Sequence, residues 1–403
     1  MTMTTTAAVL RTLAAPAPYA QSQPISIEEV TLEGPRPQEV LVKVIGAGLC
    51  HSDLSVINGS LGRAIPIVLG HEGAGEVLEV GDGVTDVKVG DNVVFQFSPS
   101  CGRCRRCLSG NPQLCDRAAE ARFKGELIGG GTRFRDASGE PLRHMTGVSC
   151  FAQHVVVDRG SVVVVTPDLS LTEAALFGCA VMTGTGAVMN TAKVRPGEKV
   201  AVFGLGGVGL CGIMGAKMCG AEIIVGVDLA DAKLRKAEQL GATHTFNARD
   251  NALVEKIVEL TGGGVDVAFE LAGAIPAMTA AYAVTARGGK VVAAGLAPRG
   301  SQFSFEQTDL VYGEKSVCGS FMGSCVPVRD IPRFITMYQS GQLPVDQLID
   351  GVVTFDELNE GFDRLDTGGA LRQVLAPHGV AKLEAASTGI NLEEPAMARS
   401  PDR

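Results

Sequence analysis

Four of the chain's eleven cysteines fall in one short stretch, "CGRCRRCLSGNPQLC", at positions 101 to 115. Cys101, Cys104 and Cys107 make two successive C-x2-C steps, and Cys115 follows after seven more residues. Thiolates at this spacing can surround one point, and tetrahedral zinc takes four soft ligands. Arg103, Arg105 and Arg106 lie between them and favour the thiolate form. Four protein ligands close the coordination sphere, so a zinc held here is structural and the chemistry lies elsewhere. A redox-active dithiol and a zinc-ribbon nucleic-acid module are the alternatives. The formal net charge of −9 argues against the second.

Further ligand types are dispersed: Cys50, His51 and Asp53 in "GLCHSDLSVINGS", His71 and Glu72 in "GHEGAGEV", and Cys179 in "FGCAVMTGTGAV". No spacing along the chain brings Cys50, His71 and Cys179 together, and a lone buried cysteine is usually core. A third pattern is "VAVFGLGGVG", with Gly204, Gly206 and Gly209 directly after an apolar run and before a helical one. G-x-G-x-x-G alone is weak, but here Asp228 ends the next apolar run about twenty residues on, as a dinucleotide-binding turn requires. The glycines let a pyrophosphate approach the helix N-terminus, where free N–H groups and the dipole favour an anion. Asp228 can accept both adenosine ribose hydroxyls and would repel a 2′-phosphate, so NAD is expected over NADP.

These groups need elements to position them. Roughly the first 175 residues mix short β-rich runs with Gly/Pro punctuation ("EVLVKVIGAG", "GAGEVLEVG", "FAQHVVVDRGSVVVV"), which reads as a β-barrel-like domain. From near Thr183, strand and helix patterns alternate: "EKVAVFGLGGVGLCGIMGAKMCGAEIIVGVD", helical "DAKLRKAEQLGA", extended "VDVAFELAG", helical "AMTAAYAVTARGG" and extended "KVVAAG". Such alternation predicts parallel β-α-β units. Beyond about Gly319 the elements are mixed, and the polar C-terminal end reads as an irregular tail. At 45% hydrophobic and 20% charged, the composition is that of a soluble globular protein. The N-terminus lacks the pattern of a signal peptide. Two charge-poor runs, 174–192 and 200–216, are interrupted by glycines and read as buried core rather than spans. A cytoplasmic location is expected, with thiols rather than disulfides.

In order and wording, the fragments from about Val40 to Arg372 resemble the zinc-dependent medium-chain alcohol dehydrogenases. "GHEGAGEV", the four-cysteine stretch, "GCAVMTGTGAV" and "GLGGVG" carry the likeness. The resemblance implies an α/β fold: a GroES-like, β-rich catalytic domain from residues 1–179 and 320–403, and a doubly wound Rossmann domain over 180–319. It implies two zinc ions per chain, one structural, and one catalytic on Cys50, His71 and Cys179. Two cysteines and one histidine are the known catalytic set of alcohol dehydrogenase, with a fourth position open. By the same likeness Asp53 holds His71 from behind and Glu72 lies behind the metal; the alternative for both is an ordinary turn carboxylate. Lys233 borders the adenosine ribose, His51 and Arg372 the pyrophosphate, and Thr183, Gly207 and Val208 join the three glycines in the NAD site. A simple turn histidine and a surface arginine are the alternatives for His51 and Arg372. Ser52 passes the alcohol proton on, unless it merely caps a turn. Ser55 stands where family members often continue the relay with a histidine.

The implied activity is reversible hydride transfer between NAD+ and a small-molecule primary alcohol, aromatic or medium-chain, giving the aldehyde. A homodimer or homotetramer is expected, with no nucleic-acid or membrane partner. Phe97 and Phe151 are candidate pocket walls. The alternatives are a glutathione-dependent formaldehyde dehydrogenase, a polyol dehydrogenase, and a zinc-less quinone-reductase-like relative. The segment between Cys115 and Phe151 resembles the form shared by animal alcohol dehydrogenases and the glutathione-dependent enzymes. The latter use acidic residues in the loop before "GHE", whereas here "NGSLGRAIPIVLG" has no acid and carries Arg63. Free alcohols in a largely apolar pocket are therefore expected. His144, His154, His244 and His378 have no motif around them.

Overall fold

The computed structural model describes residues 2–166 and 168–380; the C-terminal tail lies outside the described residues. The segment of alternating patterns forms a six-stranded sheet in the order His244–Asn247, Ile223–Asp228, Lys199–Phe203, Val265–Glu270, Thr285–Ala293, Ser316–Gly319. Every pairing in it is parallel. Its central strand is apolar on both faces, with Val200, Ala201 and Val202 fully buried, because helices cover both sides. The helix expected across "AMTAAYAVTARGG" is shorter, Ile275–Ala283. Thr285 instead pairs with Val265 and begins a strand, so sheet pairing overrides helix pattern at a β-branched pair, Val284 and Thr285.

The β-rich part contains a closed barrel of Thr2–Leu10, Ile25–Glu33, Phe134–Arg135, Pro141–His144 and Ile67–Val68. A seven-stranded sheet stands beside it. Its strand Glu39–Gly48 pairs antiparallel with both Gly73–Val80 and His154–Asp158. The late strand Arg372–Leu375 joins the same strand's end, Val374 opposite Gly48 and Leu375 opposite Ala47. Chain ends far apart in sequence thus meet at the start of "CHSD".

The first charge-poor run is a bent pair of helical segments, Leu171–Gly178 and Ala180–Ala192, at 51°. Most of it is buried in the core beside the parallel sheet. The second run is a strand followed by the helix Gly207–Met218. No single helix among the described residues is long and apolar enough to cross a membrane.

Candidate active site

Cys50 precedes the helix His51–Ile57, just beyond the strand Glu39–Gly48. The Gly48 N–H donates to the Glu72 carbonyl at 2.8 Å and Ala47 lies opposite Gly73, so antiparallel register sets Cys50 beside His71 and Glu72. Cys179 arrives at the break between the two bent helical segments, with non-helical φ −137° and ψ −73°. A Cβ on Gly178 would stand 1.8 Å from the Phe95 carbonyl oxygen. Only glycine lets that bend come down on the sheet.

The ligand atoms of Cys50, His71, Glu72 and Cys179 all lie within 4.8 Å of one another, and all four residues are buried. Cys179 Sγ is 3.4 Å from His71 Nε2. On the ring's other side, Nδ1 is 2.9 Å from one Asp53 oxygen, while the second accepts the Gly70 N–H at 3.0 Å. Asp53 thereby turns Nε2 toward the thiols, as a carboxylate behind a metal-binding histidine does. Two sulfurs and one nitrogen converging this way fit zinc. Asp53 and Glu72 are fully buried, which removes the turn-carboxylate alternative.

The charges fit the same reading. A hydrogen bond from Cys179 holds the Cys50 thiol well below its usual range against burial, with Arg372 and His71 adding to the effect. Cys179 is correspondingly raised by that bond and by burial. Burial pulls His71 down, but Asp53 and Cys50 outweigh it and raise it. Burial pushes Glu72 up to about 7 against the pull of Arg372. Arg372 is itself buried, not a surface arginine, with Nη1 3.3 Å from Glu72 and 2.9 Å from the Leu49 carbonyl.

The lobe cysteines also converge. Cys104 Sγ lies 3.5 Å from Cys107 Sγ and 4.0 Å from Cys115 Sγ, and all four ligand atoms fall within 4.8 Å. Backbone N–H groups of Cys101 and Cys104 point at Cys115 and Cys101 sulfurs, at 3.4 and 3.3 Å. Hydrogen bonds from backbone N–H groups lower Cys104 to about 6, while burial and its neighbours raise Cys107 to about 12. The remaining cysteines are free thiols as well, with no disulfide among the described residues.

The dinucleotide turn follows its strand as expected. Gly204 has φ +92°, and a Cβ on Gly209 would stand 1.8 Å from the Gly204 carbonyl oxygen. The helix Gly207–Met218 starts without a side-chain cap, leaving its N–H groups for an anion. A Cβ on Gly207 would meet Arg372 Nε at 2.2 Å, so Arg372 lies against this turn and also reaches the Cys50 side. A Cβ on Gly184 would stand 2.1 Å from the Val208 carbonyl, so the helix carrying Thr183 presses directly on the same turn. Asp228 ends its strand and accepts N–H bonds from Leu205 at 2.7 Å and Ala230 at 3.0 Å, which fixes its carboxylate. His51 keeps solvent access at the rim. Desolvation lowers it, Cys50 opposes this, and nearby Arg372 and Lys233 lower it further. This constellation fits NAD.

The family models agree with this geometry. "Alcohol dehydrogenase GroES-like domain" matches residues 36–168, and "Zinc-binding dehydrogenase" matches residues 207–340. The S-(hydroxymethyl)glutathione dehydrogenase of Paracoccus denitrificans is 38% identical over 375 residues, covering 91% of this chain and all of that one. The chain belongs to the zinc-dependent medium-chain alcohol dehydrogenases.

A class-3 alcohol dehydrogenase of Cereibacter sphaeroides is likewise 38% identical, over 91% of this chain and all of its own length. Among solved structures, an alcohol dehydrogenase zinc-binding domain protein from Burkholderia ambifaria superposes with TM-score 0.87 at 34% identity, covering 94% of this chain and 100% of its own. The benzyl alcohol dehydrogenase of Acinetobacter calcoaceticus gives 0.84 at 32%, covering 93% and 99%. This alcohol dehydrogenase is therefore a zinc- and NAD-dependent oxidoreductase.

Its pocket differs from expectation. Phe97 does wall the site, edge-on to His71 with centroids 5.4 Å apart. Phe151 does not: it is fully buried against Phe362 in the β-rich core. Sequence reasoning missed Phe321, 6.0 Å from Phe97, and Arg122, whose guanidinium lies 4.9 Å over the Phe321 ring. Neither stands in a motif. Charge therefore borders a pocket expected to be largely apolar. His144 is a barrel residue that accepts the Arg133 N–H at 3.2 Å, and burial pushes it down to about 3.

Proposed function

We propose that this alcohol dehydrogenase oxidises a primary alcohol presented as a hydroxymethyl group, with S-(hydroxymethyl)glutathione as the leading substrate and NAD+ as hydride acceptor. The observation that carries the substrate is the match, at 38% identity over nearly the whole chain, to a relative of that name. The second reading is a free aromatic alcohol, favoured by Phe97 beside His71 and by the likeness to a benzyl alcohol dehydrogenase.

Cys50, His71 and Cys179 would hold the zinc, with Asp53 fixing the histidine and the Glu72 carboxylate close by. Bound there, the metal supplies Lewis-acid polarisation that eases loss of the alcohol proton. Ser52, half-buried on the helix that starts after Cys50, receives that proton, and solvent takes it on past Ser55. The glycine turn, Thr183 and Val208 would seat the cofactor, with Arg372 and His51 available to its pyrophosphate and Asp228 and Lys233 to its adenosine ribose. Holding donor carbon and acceptor ring in contact is the protein's main contribution. NAD+ bound there would accept the electron pair of the carbinol C–H bond, and the O–H proton would leave through Ser52. A hydroxymethyl thioether thus becomes a formyl thioester.

The test is NADH formation from formaldehyde with and without glutathione, beside benzyl alcohol and hexanol. Strong dependence on glutathione is expected. Activity on benzyl alcohol that exceeds it would transfer the assignment to the second reading.

A further inference from the structure

Phe321 meets Phe97 beside the zinc ligands, and the loop that carries it is held in an unfavourable conformation. The two rings pack edge-on, with centroids 6.0 Å apart at 81°, and Phe97 meets His71 in the same way at 5.4 Å and 89°. Both phenylalanines keep solvent access, unlike the fully buried Phe151. Phe321 stands just past the strand Ser316–Gly319, at the carboxyl end of the parallel sheet, where such sheets take their ligands. The three residues after it, Met322, Gly323 and Ser324, have left-handed φ of +52°, +62° and +51°. Only the glycine adopts that region without steric cost. A Cβ on Gly323 would stand 2.3 Å from the Met182 carbonyl oxygen, and one on Gly186 would stand 2.5 Å from Cys325 Sγ. Two glycines thus let the loop press directly on the helical segment Ala180–Ala192.

That segment also supplies the bonds that hold the loop. Its last turn, Ala187–Ala192, is π-helical, a rare form that is frequent at functional sites. Thr191 Oγ1 lies 2.8 Å from Ser320 Oγ and 2.8 Å from Ser324 Oγ, one on each side of Phe321. Asn190 Nδ2 donates to the Gly323 carbonyl at 3.4 Å and to Cys325 Sγ at 3.3 Å. The Cys325 thiol donates to the Met182 carbonyl at 3.4 Å. The same segment begins directly after Cys179. One piece of backbone therefore sets both a zinc ligand and the ring opposite Phe97.

We propose that Phe321 is the wall that recognises a flat ring next to the hydroxymethyl carbon, and that Thr191 positions it. The inference rests on the proposed oxidation of primary alcohols and names a class, the arylmethyl alcohols, that the site selects among them. A planar ring packs edge-to-face against Phe97 and Phe321, whereas a saturated ring of the same width gains buried area alone. Thr191 touches no substrate in this arrangement. It acts through Ser320 and Ser324, whose bonds keep the left-handed loop from relaxing and carrying Phe321 out of place.

The experiment compares benzyl alcohol with cyclohexylmethanol on the zinc-loaded enzyme with NAD+. Calorimetry of benzamide and cyclohexanecarboxamide binding to the NADH complex gives the same comparison without turnover. The flat ring is expected to lead by about fivefold in kcat/KM, mainly through KM, and by a similar factor in binding. Phe321→Leu keeps an apolar wall without the ring and should remove most of that preference. Thr191→Val keeps the shape and loses the hydroxyl; it should cut the preference by about threefold, with Thr191→Ser restoring it. In the Phe321→Leu background, Thr191→Val should change the ratio no further, because the two residues act as one unit. Equal treatment of both rings by the wild type, or a preference that survives Phe321→Leu, overturns the wall. A Thr191→Val effect of the same size in both backgrounds overturns the positioning role. Failure of the functional reading looks different: no turnover of either alcohol by fully zinc-loaded protein, with the calorimetric preference still reading the wall.

Discussion

The lobe cysteines come from positions 101 to 115 of one loop, whereas Cys50, His71 and Cys179 come from three separate segments joined by sheet register and a helix break. Three of the lobe thiols are partly exposed; every member of the other cluster is buried. The lobe offers four sulfurs and no vacancy, so its metal organises a loop that has little core of its own. The buried cluster offers two sulfurs and a nitrogen with the Glu72 carboxylate beside them, and its shape is organised by Asp53, Gly70 and the packed sheet around it. In the lobe the metal supports the fold; in the cleft the fold supports the metal.

The sharpest way to break this contrast is Cys179→Ser. Turnover should fall by about a thousandfold or more while the fold stays intact, since one ligand of an open site is lost. Zinc content should drop from about two to about one per chain. Near-normal activity would remove the site.

Cys104→Ser should do the converse. The melting temperature is expected to fall by about 5 °C or more, because structural zinc binding is part of the folding free energy. Activity per folded molecule should change much less. Calorimetry and zinc analysis on the same sample decide it, and an unchanged melting temperature with full zinc content contradicts the structural role.

Asp53→Asn tests whether the fold truly prepares the cleft. The amide keeps the size but loses the charge behind His71, and zinc affinity at the cleft should weaken by about 10- to 100-fold. The lobe zinc should be unaffected. Competition with a chromogenic chelator separates the two.

The smallest effect concerns neither cluster. Asp228→Ala should narrow the preference for NAD over NADP by roughly tenfold, by removing repulsion of the 2′-phosphate. Steady-state kinetics with both cofactors measure it. A wild type that prefers NADP would refute the reading of that strand end.

Much of this was legible in the sequence where function depends on neighbours along the chain. C-x2-C spacing holds sulfurs together through local backbone alone, so the lobe could be read from fifteen residues. The glycine turn is likewise a local object, set between a strand and a helix whose patterns announce themselves. Residue spacing alone left Cys50, His71 and Cys179 unjoined, and resemblance was needed to assemble them. Antiparallel register places His71 beside Cys50, and Gly178 against Phe95 brings in Cys179. The late strand Arg372–Leu375 carries Arg372 into the space between Glu72 and the glycine turn, a placement that only the resemblance had suggested. Phe97 and Phe151 look alike as letters, yet one faces the cleft and the other the core. Phe321 and Arg122 stand in no motif and reach Phe97 only because their segments converge there. Local spacing and periodicity are written into the chain itself; which distant side chains share one desolvated space is decided by sheet register and packing.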